Sequence, residues 1–321
     1  MRLPSLKASG PLRSLLVLAA AFIGGAICFE NFASTQVVAA LLGDNAFVGI
    51  AAVGATFVLV GGGIDLSVGA LIAFTSVLIA RLIETHHLHP GIAFLAALCA
   101  GTLFGTTQGF LIRRFELPPF LVTLAGMFFV RALGFCLESE ARALKHEFFG
   151  ELWRYRIPLG GQARLSPPAV LWALSVALGA LVLGRTMFGR TLHALGDDAQ
   201  AARSMGLAVE RTSIASYAVA GAFSAFAGVA FAIYTQSGNP AAAVGLELDV
   251  IAAVVIGGTA LSGGSGTMLG TASGVLLLGI IQTAINFHGD LSSWWTRIVV
   301  GGLVFLFVAV DRLLGRGKEA T

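Results

Sequence analysis

The sequence predicts an all-α, polytopic membrane protein of about ten transmembrane helices, some of them broken or re-entrant. Three observations carry this expectation. Of 321 residues, 56% are hydrophobic and only 12% charged, about half the charged share of a soluble domain. Apolar runs of about 20 residues, the length that crosses roughly 30 Å of hydrocarbon, recur from end to end. Glycine is abundant, with 41 residues, as suits helices whose backbones approach closely in lipid. The net charge of +3 and pI of about 9.0 come without any basic patch interleaved with aromatics. The excess belongs to membrane boundaries, and no nucleic-acid partner is expected. Cys28, Cys99 and Cys136 sit inside apolar runs, an odd number in places that suit neither a disulfide framework nor a metal.

The elements follow in order. Arg2, Lys7 and Arg13 precede the first run, which reads as an uncleaved helix rather than a signal peptide, leaving residues 1–13 as a cytoplasmic tail. Apolar segments fall at about 14–32, 36–61, 66–84, 92–112, 118–137, 167–184, 213–235, 248–262, 266–287 and 294–311, all within one permeation domain over 14–312. A short tail, 313–321, ends the chain on the same side. Arg113, Arg114, Arg185, Arg190, Arg203, Arg211, Arg312, Arg316 and Lys318 assign that side to the cytoplasm. The outer loop, 138–166, runs against the bias with Arg142, Lys145, Arg154, Arg156 and Arg164.

Helix breaks are marked by Gly61–Gly63, Pro118–Pro119, Gly257–Gly258 and Gly263–Gly264. Gly266, Gly270 and Gly274 make a glycine face for internal packing or a subunit contact. A weak internal echo joins Ile50–Val53 to Ile251–Val254. At the same offset Gly62, Gly63 and Gly69 match Gly263, Gly264 and Gly270. Transporters are often built from repeats, although so glycine-rich a chain can echo itself by chance.

Three polar stretches interrupt the pattern. The first is the loop 184–212, basic at its start. Asp197 and Asp198 are good N-caps, Ala199 to Met205 suits a two-turn helix, and Gly206 suits its stop. Such a helix is too short to stand alone. It is either an ordinary loop with a helical turn or an element on which another protein docks. The second is Gly61–Ser67. Asp65, costly at the centre of a bilayer, either caps the next helix or lines a solute path with Ser67. The third holds Glu247 and Asp249, two residues apart and so on different helix faces. They suit the start of a helix dipole or, alternatively, an outer mouth. Asn45, Thr56, Gln108, Thr123, Gln236, Gln282 and Asn286 add neutral hydrogen-bonding groups for a path or for helix contacts. His86, His87 and His89 share a short loop without a cysteine and read as solvated rather than as a metal site. No P-loop is present, since Gly317–Lys318 is followed by Glu319, so the chain has no ATP chemistry of its own. No cofactor or enzymatic site is expected.

Phe188-Gly189-Arg190, Ala194-Leu195-Gly196, Ala201-Ala202 and Ser204-Met205-Gly206 resemble the coupling loop of bacterial ABC sugar-importer permeases of the ribose, xylose and galactoside type. Ile64 to Gly69 after Gly61–Gly63 fits the same family, as does Glu247 to Ala253 running into Gly257-Gly258-Thr259 and Ser262-Gly263-Gly264. The resemblance spans about 36–312 and departs at Asp198, where the family usually has Asn. Ile233 to Gln236, Ile285 to Phe287 and Leu291 to Thr296 bring it closest to galactofuranose-importing members. The resemblance implies an ABC ATPase subunit, a periplasmic sugar-binding protein and a second permease subunit as partners. It makes Gly196, Asp197, Asp198, Ala201, Ala202, Arg203 and Gly206 the contact with the ATPase. The rival reading, an ion-gradient-driven transporter, needs ionisable residues inside the spans, and few exist beyond Asp44, Asp65 and Arg131.

Overall fold

The computed structural model describes residues 10–160, 163–289, 294–295, 298–302 and 305. Helices dominate. In chain order they are α1 (Gly10–Cys28), α2 (Thr35–Asp44), α3 (Ala46–Val60), α4 (Val68–Glu84), α5 (Pro90–Arg114) and α6 (Pro119–Leu137). A folded loop follows, with β1 (Arg142–Ala143), α7 (Glu147–Arg154), β2 (Ile157–Gly160) and β3 (Ala163–Leu165). Next come α8 (Pro167–Arg185), α9 (Met187–Asp197), α10 (Ala199–Ser204), α11 (Val209–Thr235), β4 (Ser237–Gly238), α12 (Leu246–Ile256) and α13 (Met268–His288). Pro90, Pro119 and Pro167 open α5, α6 and α8, where the missing N–H costs nothing.

Among the described residues, five helices are long and apolar enough to cross a membrane: α5, α6, α8, α11 and α13. A sixth arises if α2 and α3, bent by 52° at Asn45, form one span. The helical, multi-span expectation holds, with five or six of the expected ten or so spans found among the described residues. The first, third and eighth apolar segments account for the difference there. The third yields α4, 17 residues long, after a non-helical stretch over 61–67. The eighth yields only the 11-residue α12, roughly 16 Å of helix. The tenth segment, 294–311, and both tails fall largely outside the described residues. The strictly all-α expectation also changes, because β1 pairs with β4 and β2 with β3, both antiparallel. That loop is thereby pinned to the end of α11. Glu84 accepts from the Lys145 and His146 amides (2.7 and 3.1 Å), tying the same loop to α4.

The core lies around α3, nearly every residue of which is buried. It is flanked by α11, α12, α13 and α8, with Ile50, Leu59, Ile72, Trp172, Val254 and Val275 in one cluster. The α5–α11 contact is closer than side chains allow. Gly105 faces the Tyr217 carbonyl and Gly221 faces the Gly101 carbonyl, backbone against backbone. The glycine face of the ninth apolar segment is internal packing: Gly270 and Gly274 of α13 rest on the Gly257 and Ala253 carbonyls of the α12 region. In contrast, α6 leaves Phe120, Leu121, Phe128 and Phe129 exposed.

Candidate functional site

The loop 184–212 folds into two helices rather than one turn. Thr186 caps α9 by accepting from the Gly189 amide, and Asp198 caps α10 by accepting from the Gln200 and Ala201 amides at 2.8 and 2.9 Å. Gly206, at φ +77°, closes α10 as the sequence suggests, with the Leu207 amide returning to the Ala202 carbonyl. Ala202, expected on a docking face, is fully buried among Leu192, Leu195 and Val209 and seats the helix on its own chain. Met205, three residues on, is 67% exposed. Asp197, Asp198, Gln200, Ala201 and Arg203 form the exposed face.

Beneath this face lies a glycine junction. Gly196, at the end of α9, rests against the Val60 carbonyl and the backbone of Gly263 and Gly264. A Cβ on Gly263 would stand 2.8 Å from Gly62 Cα and 3.0 Å from Gly196 Cα. The Gly264 amide donates to the Val60 carbonyl at 2.9 Å. The two stretches that echo one another in sequence therefore have like form, helix, glycine turn, helix, and their matched glycines Gly62 and Gly263 touch. The end of α9 thus touches both the α3–α4 and the α12–α13 turns.

Asp65 and Ser67 occupy the first break. One Asp65 oxygen accepts from the Ser67 amide (2.8 Å) and the Ser67 hydroxyl (2.6 Å), so the buried Asp65 side chain closes the turn that leads into α4. The Ser67 hydroxyl also lies 3.2 Å from Gln108 Oε1. Gln108 is only 3% exposed, and its Nε2 has no hydrogen-bond partner where it meets Gly126 of α6. Asp65, Ser67 and Gln108 are thus brought together. The remaining path candidates are not. Asn45 donates to the Leu41 carbonyl at the α2–α3 bend, and Thr56 bonds Thr271 at 2.7 Å, a buried α3–α13 contact. Gln282 and Asn286 share one exposed face of α13. Thr123 reaches the Ile64 and Pro119 carbonyls, and Gln236 ends α11 in the left-handed region.

Glu247 and Asp249 lie in the first turn of α12, as the dipole reading requires. Glu247 packs against Gly69 at the start of α4, close to the Asp65 break. Arg131 of α6 explains how the chain before α12 stays non-helical inside the fold. Its guanidinium donates to the carbonyls of Pro240 (3.1 Å) and Ala242. Backbone without a helix is tolerated at such depth only when its polar groups are met.

Sequence reasoning missed two cavities. One, about 350 Å³, lies between α2, β3, the start of α8 and the end of α11, and includes Asp44, Arg164 and Tyr234; the Tyr234 hydroxyl donates to Asp44 at 3.0 Å. The other, about 420 Å³, opens beside α10. Ser213, Ser216 and Tyr217 of α11 line it, and their spacing of three and four was a polar stripe legible in an otherwise apolar run. His193 on α9 is half-buried, and desolvation holds its pKa below the ordinary 6.5.

A family profile described as the branched-chain amino acid transport system / permease component matches residues 37–308 of the chain. The inner membrane ABC transporter permease protein YjfF of Escherichia coli K12 is 47% identical over 286 residues, covering 88% of this chain and 86% of the relative. The fructose import permease protein FrcC of Rhizobium meliloti is 34% identical over 319 residues (97% and 86%). The ribose import permease protein RbsC of Bacillus subtilis is 34% identical over 309 residues (94% and 92%). No solved structure matches the chain.

Proposed function

Because this chain belongs to the permease-component family of the branched-chain amino acid transport system, we propose that it is the membrane subunit of an ATP-driven sugar importer. It lies in the bacterial inner membrane and crosses it several times. A partner ATPase hydrolyses ATP, a periplasmic binding protein delivers the sugar, and a second permease subunit, the same or a related chain, completes the path. The cargo is a monosaccharide. The names of its relatives point to ribose and fructose, and the stretches around Ile233–Gln236 and Ile285–Phe287 favour galactofuranose or a near relation.

The observation that carries this reading is the α9–α10 element. A capped helix with an exposed polar face stands on a junction of two glycine turns. That is the arrangement needed for a partner's motion to reach two helix pairs at once. Exposed Gln282 and Asn286 on α13 are expensive in lipid and suit a path shared with the second subunit. The ion-gradient reading is weaker, because the in-span ionisable groups are engaged locally: Asp65 by Ser67, Arg131 by backbone carbonyls and Asp44 by Tyr234. Cross-linking tests the docking face. A cysteine at Ala201 in the assembled importer is expected to join the ATPase subunit, and a cysteine at exposed Phe128 of α6 is not. A product at position 128 alone contradicts the assignment.

A further inference from the structure

We propose that the 420 Å³ cavity beside α10 is the chamber from which the solute is released, and that it takes a neutral polyhydroxylated molecule, a monosaccharide. This deepens the importer reading and rests on it. The cavity lies within the roughly 300–1,000 Å³ range of small-molecule sites. Its charged lining is balanced: Arg113 and Arg203 against Glu116 and Glu210. No single sign of charge is presented, so the lining selects no ion. What it offers is hydrogen bonding. The Tyr217 hydroxyl, in a residue only 2% exposed, meets only the Ile64 backbone, and Arg113 Nε is buried without a partner. Both donors suit hydroxyl oxygens, and a sugar hydroxyl both donates and accepts. The floor is the bare backbone of Gly61–Gly63, and Val58, Ile112 and Pro119 supply apolar walls for the C–H faces of a ring.

The chamber is joined to both other parts of the site. Leu117 lines it and also the apolar groove, about 730 Å³, into which Gln108 projects from the Asp65–Ser67 cluster. At the rim, Arg203 of α10 faces Glu210 of α11 at 4.0 Å. An exposed pair of this kind contributes little to stability. As a latch it has the right place, since it spans the moving helix and the fixed one. Displacement of α10 by the ATPase separates the pair and widens the mouth.

The test uses the complete importer, with ATPase and binding protein, in vesicles. The permease carries Ser213→Cys with its three native cysteines replaced by serine. A charged methanethiosulfonate reagent is applied from the cytoplasmic side, with and without D-ribose, D-fructose or D-galactose. The expected result is labelling slowed by roughly tenfold by whichever sugar the vesicles take up. Labelling then stops uptake while ATP hydrolysis continues. Equal labelling rates with and without the imported sugar, with uptake intact after labelling, overturn the chamber. Ser216→Trp, which fills the cavity, is expected to remove uptake. If that variant fails to assemble, the Ser213→Cys protection decides alone. Arg203→Glu and Glu210→Arg each impair uptake, and the double exchange restores it if the pair is a latch; no restoration overturns the latch. If unmodified importer takes up none of the sugars, the cargo assignment fails, not the chamber's position, which cytoplasmic labelling of the Ser213→Cys variant still reports.

Discussion

At the residue scale, neighbouring alanines on α10 do opposite work. Ala202 is sealed among Leu192, Leu195 and Val209, whereas Ala201 is exposed. A carboxylate at 202 would be buried without a partner, a cost of several kcal/mol that a six-residue helix cannot offset. Ala202→Glu is therefore expected to lose the folded α9–α10 element, seen as rapid proteolysis of this segment in membranes. Ala201→Glu is expected to leave proteolysis unchanged while abolishing sugar-stimulated ATP hydrolysis. The three-residue spacing of Ala199, Ala202 and Met205 sets Ala202 on an apolar face apart from Ala201, but not which way that face turns. That is set by the direction in which Asp198 starts the helix, a tertiary fact. Asp198 as cap and Gly206 as stop were legible, because capping chemistry is local.

At the scale of elements, local signals and packing part company. The breaks at Gly61–Gly63 and Gly257–Gly264 are visible in the sequence, but their meeting is not. Only the fold places Gly62 against Gly263 and Gly196 above them. Likewise the eighth apolar run, 248–262, reads as one span, yet α12 starts at Leu246, after Gly245 at φ +84°, and stops at Ile256 before Gly257–Gly258. Hydropathy registers how apolar a run is and not whether its backbone is helical. Gly196→Val is expected to force α9 away from the Val60 carbonyl, where even a Cβ lacks room. Uptake should fall by roughly tenfold or more while the ATPase subunit still co-purifies. Retained uptake would show that the junction transmits nothing. His193 gives α9 a pH signature. Its lowered pKa means that the unfolded state holds more protons between the folded value and 6.5. Stability is thus full above about 6.5 and declines as pH falls through 6.5 towards the folded pKa. Thermal unfolding of the protein in detergent should show this decline, and His193→Gln should flatten it.

At the scale of the whole molecule, the division of labour follows from what the chain carries. It has helices long enough to span, glycine turns between them and an exposed capped helix, but its sequence has no phosphate-binding loop. Its membership of a permease family fits that inventory over most of its length. The all-helical, membrane-spanning character was readable from composition and run length alone. The folded loop, with its two strand pairs, was not, because two- to four-residue strands depend on partners distant in sequence. The most direct test of the account is uptake of radiolabelled sugar into vesicles holding this permease, its second subunit and the binding protein, with and without the ATPase. The account predicts uptake only when the ATPase and ATP are both present, unaffected by a protonophore. Accumulation without the ATPase, abolished by the protonophore, would contradict it.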